Sequence, residues 1–132
     1  MSRPTKTAYY LDIAAAVSQR STCRRRKYGA VLVKDDRIIA TGYNGAARKT
    51  PNCCDGDVPC AREGLAHNTG YTSACPAVHA ECNALLSAGR EAAGAALYIA
   101  GFDSDGQRLT DPKPCEMCMR LIINAQVGEV IS

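Results

Sequence analysis

Two short motifs far apart in the chain constrain its fold more than anything else in it. His79-Ala80-Glu81 stands mid-chain, and Pro114-Cys115-Glu116-Met117-Cys118 stands near the end. Imidazole and thiolate are the donors zinc prefers, and a catalytic zinc takes three protein ligands and keeps a fourth position for water. Cys115 and Cys118 are three residues apart, so on a helix they share one face. Pro114 sits just ahead of that helix, whose N-terminal partial positive charge favours thiolates. His79 supplies a third ligand from the start of another helix. Glu81, two residues on, can lie beside the metal without binding it. A chain built this way must bring two helix starts together.

Periodicity predicts the elements that do so. Residues 5–20 read as an amphipathic helix with Ala8, Leu11 and Ala15 on its apolar face, joined by Tyr10 and Ala14. Residues 29–34 and 37–43 read as two strands joined by a hairpin turn at Asp35-Asp36. Residues 44–77 are rich in Gly, Pro, Asn and Cys and read as a long loop, which inside one domain is usually functional. A helix is predicted over 78–90, with Cys82, Leu85 and Leu86 on its apolar face. Then follow a strand over 96–100, a loop over 101–114, a helix over 115–125 and a strand over 127–131. The order α-β-β-α-β-α-β over a single domain, residues 1–132, predicts a mixed sheet covered by helices on both faces.

Composition narrows the setting. With 132 residues, 46% hydrophobic and 22% charged, the chain suits one soluble domain that can bury a core. It has no apolar run of membrane-spanning length. The first twenty residues carry Asp12 and Gln19 and read as part of the fold and not as a signal peptide, so a cytoplasmic location is expected. Net charge is +3, and no nucleic-acid-binding tail is evident, so no nucleic-acid polymer is expected as a partner. The basic run Arg24-Arg25-Arg26-Lys27 reads either as a solvated turn or as a phosphate-facing patch. Eight cysteines stand at 23, 53, 54, 60, 75, 82, 115 and 118. In a reducing compartment they point to metal binding and not to disulfides.

His-x-Glu followed by Pro-Cys-x-x-Cys is the signature of zinc nucleobase deaminases. The chain resembles the deoxycytidylate deaminase branch of the cytidine/deoxycytidylate deaminase family over nearly its whole length. The matching stretches are Gln19-Arg20-Ser21-Thr22-Cys23 leading to Gly29-Ala30-Val31, then Thr41-Gly42-Tyr43-Asn44-Gly45-Ala46 and Asn52-Cys53. Val78-His79-Ala80-Glu81 with Asn83-Ala84 and the Pro114–Cys118 motif complete them. The resemblance implies a three-layer α/β/α fold, a homo-oligomer and hydrolysis of dCMP to dUMP and ammonia. It implies zinc on His79, Cys115 and Cys118, and Glu81 as the group that moves protons. Substrate contacts are implied at Asn44, Ala80, Arg90 and Arg26, the two arginines toward a phosphate.

Two departures from the family pattern stand out. After Gly-Tyr-Asn-Gly the chain runs Ala46-Ala47-Arg48-Lys49 where relatives often have a small residue, Pro and Gly, which bears on triphosphate regulation. The sequence also stops at Ser132 where relatives continue through another strand and helix, so substrate contacts from that tail are expected to be missing. Some relatives hold a second, structural zinc through positions resembling Cys23 and Cys53. With Cys60 and Cys75 these make a closed four-thiolate set, with His67 as a substitute for either of the latter. Cys82 is expected in the core. The competing readings are a deaminase of another amino-substituted ring and a zinc-stabilised binding module without turnover. The intact Glu81 argues against the latter.

Overall fold

The computed structural model describes residues 2–52, 60–65 and 75–132. Strands β1 (Arg26–Lys34) and β2 (Arg37–Tyr43) run antiparallel around Asp35-Asp36. Both aspartates take positive φ, 53° and 59°, as a two-residue type I′ hairpin turn demands. Helix α1 (Lys6–Ser18) precedes them, with the Thr5 hydroxyl accepting from the Ala8 N–H at 3.1 Å as its cap. After the hairpin come short strands β3 (Gly45–Ala46) and β4 (Ala77–Val78), helix α2 (Ala80–Ala88) and a 3₁₀ turn (Gly89–Ala92). Strand β5 (Ala96–Asp103), helix α3 (Glu116–Asn124) and strand β6 (Glu129–Ile131) complete the chain.

The main sheet has the order β2-β1-β5-β6, antiparallel except for the parallel β5–β6 pair. Residues Gly29–Val33 of β1 are all buried, as a strand covered on both faces must be. Successive side chains then divide between the faces. Ala30 and Leu32 join Ala40, Leu97 and Ile99 under α2 and α3, against Ala80, Ala84, Cys118 and Ile122. Val31 and Val33 join Tyr98 and Ala100 under α1, against Tyr10 and Ala14. The three-layer α/β/α fold with a mixed sheet is therefore the one expected.

Several boundaries differ. β1 begins at Arg26 because β5 extends to Asp103 and supplies ladder partners for Arg26 and Lys27, so half of the basic run is strand. The segment 44–77 contains β3 and the first residue of its partner β4. α2 ends at Ala88, where Gly89 turns with φ 58°. The buried stripe of α1 is Tyr10, Ala14 and Ser18, while Ala8 is exposed. Leu86, expected on the inner face of α2, is 78% exposed. No helix among the described residues is long and apolar enough to cross a membrane.

Two glycines allow helices to lie close on the sheet. A Cβ at Gly29 would strike the Ala14 carbonyl and the Ser18 N–H of α1. One at Gly42 would strike the Ala80 carbonyl and the Ala84 N–H of α2. Gly42 thereby sets the start of α2 directly on the end of β2.

Candidate active site

His79 and Cys115 are the residues that begin α2 and α3, each with extended backbone dihedrals. Neither side chain caps its own helix. The two are turned toward each other instead. His79 Nδ1 lies 3.2 Å from Cys118 Sγ and 3.6 Å from Cys115 Sγ. The donor atoms of His79, Cys115 and Cys118 all lie within 4.8 Å of one another. Among the described residues this is the one such group of three or more. A tetrahedral zinc with ordinary Zn–S and Zn–N lengths spaces its ligand atoms by roughly 3.5–3.8 Å. The three residues fit that ion in spacing and in chemistry.

The electrostatics agree. Cys118 is fully buried. Burial pushes its thiol well above the usual range, and the negative charges of Glu81, Cys82 and Cys115 push it further. A divalent cation among these groups reverses that penalty, because a coordinating thiol is deprotonated outright. Glu81 is 6% exposed in the first turn of α2, where a helix N-terminus favours a carboxylate. It stands beside the ligand group and is not part of it. Burial also raises the Cys82 thiol, partly offset by its hydrogen bond with Cys118.

The other residues singled out from sequence fall in different places. Asn44 is 7% exposed, and both ends of its amide meet backbone. The Tyr28 N–H donates to Asn44 Oδ1 at 2.8 Å, and Asn44 Nδ2 donates to the Arg26 carbonyl at 2.9 Å. The side chain thus extends the β1–β2 ladder by one rung. The Ala80 side chain is in the core cluster, so only its backbone could meet a substrate. Arg26 is exposed, with Nη1 donating to the Tyr28 hydroxyl at 3.3 Å. With Arg24 and Lys27 it lines an open cavity of about 460 Å³, faced by Asp103, whose lining does not include His79, Cys115 or Cys118.

Arg90 lies in the turn beyond α2, eleven residues from His79. With Asn124 and Gln126 it lines a hollow between the ends of α2 and α3. Cys23, Cys60 and Cys75 are free thiols, half-buried, and do not form a ligand cluster among the described residues. Cys53, Cys54 and His67 lie outside the described residues. One residue quoted only as part of a motif has a clear task. Asn83 Nδ2 donates to the Tyr43 carbonyl at 2.8 Å and ties α2 to the end of β2. Its spacing from His79 puts it one helical turn on, which is the only sequence signal for it.

Residues 4–132 match the model of the cytidine and deoxycytidylate deaminase zinc-binding region. The chain belongs to this family. It is 40% identical over 134 residues to a deoxycytidylate deaminase of Mycobacterium phage D29, covering 99% of this chain and 96% of that one. It is 37% identical over 133 residues to a deoxycytidylate deaminase of Saccharomyces cerevisiae, covering 99% of this chain but 38% of the yeast protein. A further match, in Schizosaccharomyces pombe, is likewise covered over only 37% of its length, so the chain spans just over a third of the two yeast relatives. Among solved structures, the dCMP deaminase of cyanophage S-TIM5 in complex with dCMP and dUMP superimposes with a TM-score of 0.68 at 26% identity. That match covers 98% of this chain and 82% of the phage protein.

Proposed function

We propose that this chain is a zinc-dependent hydrolytic deaminase that converts dCMP to dUMP and ammonia. The observation that carries the reading is the meeting of His79, Cys115 and Cys118 at two helix starts with the buried Glu81 beside them. When bound, zinc supplies Lewis-acid activation of water at neutral pH. His79, Cys115 and Cys118 would hold that ion. Glu81 takes a proton from the attacking water and gives it to N3 of the ring, which makes C4 electrophilic. Once the water oxygen has bonded to C4, Glu81 takes the remaining proton of that hydroxyl and passes it to the amino group; the C4–N bond breaks, ammonia leaves and the C4 carbonyl of dUMP forms. A carboxylate suits both transfers because it accepts and donates within one turnover.

Arg26 is our choice for the phosphate contact. It lines one cavity with Arg24 and Lys27, and its carbonyl accepts from Asn44 Nδ2. Arg90, beyond the C-terminal end of α2, stays the second candidate for that contact. A second, structural zinc on Cys23, Cys53, Cys60 and Cys75 is supported by one contact. Arg25 Nη1 donates to the Arg62 carbonyl at 3.2 Å, drawing the segment that holds Cys60 alongside the turn that holds Cys23. We also read the protein as a cytoplasmic homo-oligomer. Leu86 and Ile123, 78% and 68% exposed on the outer faces of α2 and α3, favour assembly, and light scattering of the pure protein tests it.

The test of function is ammonia release from a panel of amino-pyrimidines and amino-purines, each as base, nucleoside and monophosphate. The proposal expects dCMP to be preferred over deoxycytidine. A preference for a purine, or for an unphosphorylated ring, overturns it.

A further inference from the structure

Cys82 stands in this neighbourhood with no part in the chemistry above. It is the third residue of α2 and packs half-buried against the apolar cluster that contains Cys118 and touches Cys115. Its Sγ lies 3.7 Å from Cys118 Sγ, a hydrogen-bonding distance for sulfur. It is not one of the converging donors, which are His79, Cys115 and Cys118. Without metal, either thiol of the pair can be the donor. When Cys118 holds a metal its sulfur has no proton, and only the Cys82 S–H remains to donate.

We infer that Cys82 is a positioning residue whose thiol donates a hydrogen bond to the Cys118 thiolate, orienting that ligand and drawing charge from it. The inference rests on the zinc reading above. Its physical basis is the burial of Cys118, which has no exposed surface. A buried thiolate has no water to satisfy its remaining lone pairs, so a neighbouring donor is worth more there than at the surface. Partners of metal ligands act in this way, fixing orientation and tuning affinity. The adjoining Asn83 is committed to the Tyr43 carbonyl, which holds the first turn of α2 in the register that aims Cys82 at α3.

Cobalt(II) in place of zinc gives the test, through the thiolate-to-cobalt charge-transfer band in the near ultraviolet. Cys82→Ala is expected to move the band to lower energy and to weaken zinc in chelator competition by on the order of tenfold. Cys82→Ser keeps a donor and is expected to restore most of both. Cys82→Val fills the space without a donor and should match Cys82→Ala, so it serves if the smaller residue fails to fold. An unchanged band and affinity in both donor-free variants overturns the inference. So does a Cys82→Ser variant shifted as far as Cys82→Ala, since that result reports packing alone. The zinc reading is judged separately. A wild-type cobalt band that vanishes in Cys115→Ser upholds it whatever the Cys82 variants do, and a wild-type chain that takes up no cobalt overturns both.

Discussion

A carboxylate left 6% exposed at a helix start, next to two thiols and an imidazole, is costly unless a cation or a proton-transfer task is present. Glu81→Gln keeps the shape and removes the transfer. Zinc content and thermal stability should hold while kcat falls by roughly 10²–10⁴-fold, read as ammonia released under saturating dCMP. Near-normal turnover would remove Glu81 from the mechanism. Asn44 makes a different prediction. Asn44→Asp loses the donor to the Arg26 carbonyl and buries a charge facing it. Stability should fall by about 2–3 kcal/mol in urea unfolding. If Asn44 were only a surface group awaiting substrate, that loss would not appear.

Helix α2 works as an arm that hands His79 and Glu81 to α3, and its height above the sheet is set at Gly42. Gly42→Ala forces the Ala80 carbonyl and Ala84 N–H away from β2. Overpacking of this kind costs about 1–3 kcal/mol. The displacement also falls on the residues next to His79, so turnover should drop by on the order of a hundredfold. Gly29→Ala is the matched comparison, because it crowds α1 on the opposite face. It should destabilise to a similar degree while the zinc affinity of the remaining folded protein stays within a few-fold of wild type. Equal losses of zinc binding in the two variants would mean that α2 is not specially held by Gly42.

In the molecule as a whole, stability and metal content should be linked. Zinc binds the folded chain and not the unfolded one, so its removal by a chelator should lower Tm and its return should restore both Tm and activity. Two zinc ions per chain are expected if the four-thiolate site exists. Cys60→Ser should then bring the count to one, lower Tm and leave most ammonia release intact. Metal analysis giving one zinc per chain, unchanged by Cys60→Ser, would leave Cys23, Cys60 and Cys75 as packing residues.

The sequence alone determined what depends on local chemistry and local period. Ligand types, the three-residue spacing of Cys115 and Cys118, and the placing of His79 and Glu81 at a helix start are short-range facts. They stay true however the chain folds. The alternation in β1 and the Asp35-Asp36 turn are of the same kind, since side-chain period and turn dihedrals are set within a few residues. Tertiary structure decided whatever depends on which segments meet. The start of β1 moved to Arg26 because β5 was there to pair with it. Asn44 became a rung of the ladder because Arg26 and Tyr28 lie across from it, eighteen and sixteen residues away. Leu86 turned outward because Gly42 and Asn83 fix the start of α2 on β2, which fixes the face of the helix that meets the sheet. Cys82 met Cys118 across 36 residues for the same reason. No window of sequence contains such pairings, because their energy comes from burial and hydrogen bonds between segments the chain brings together only when it folds.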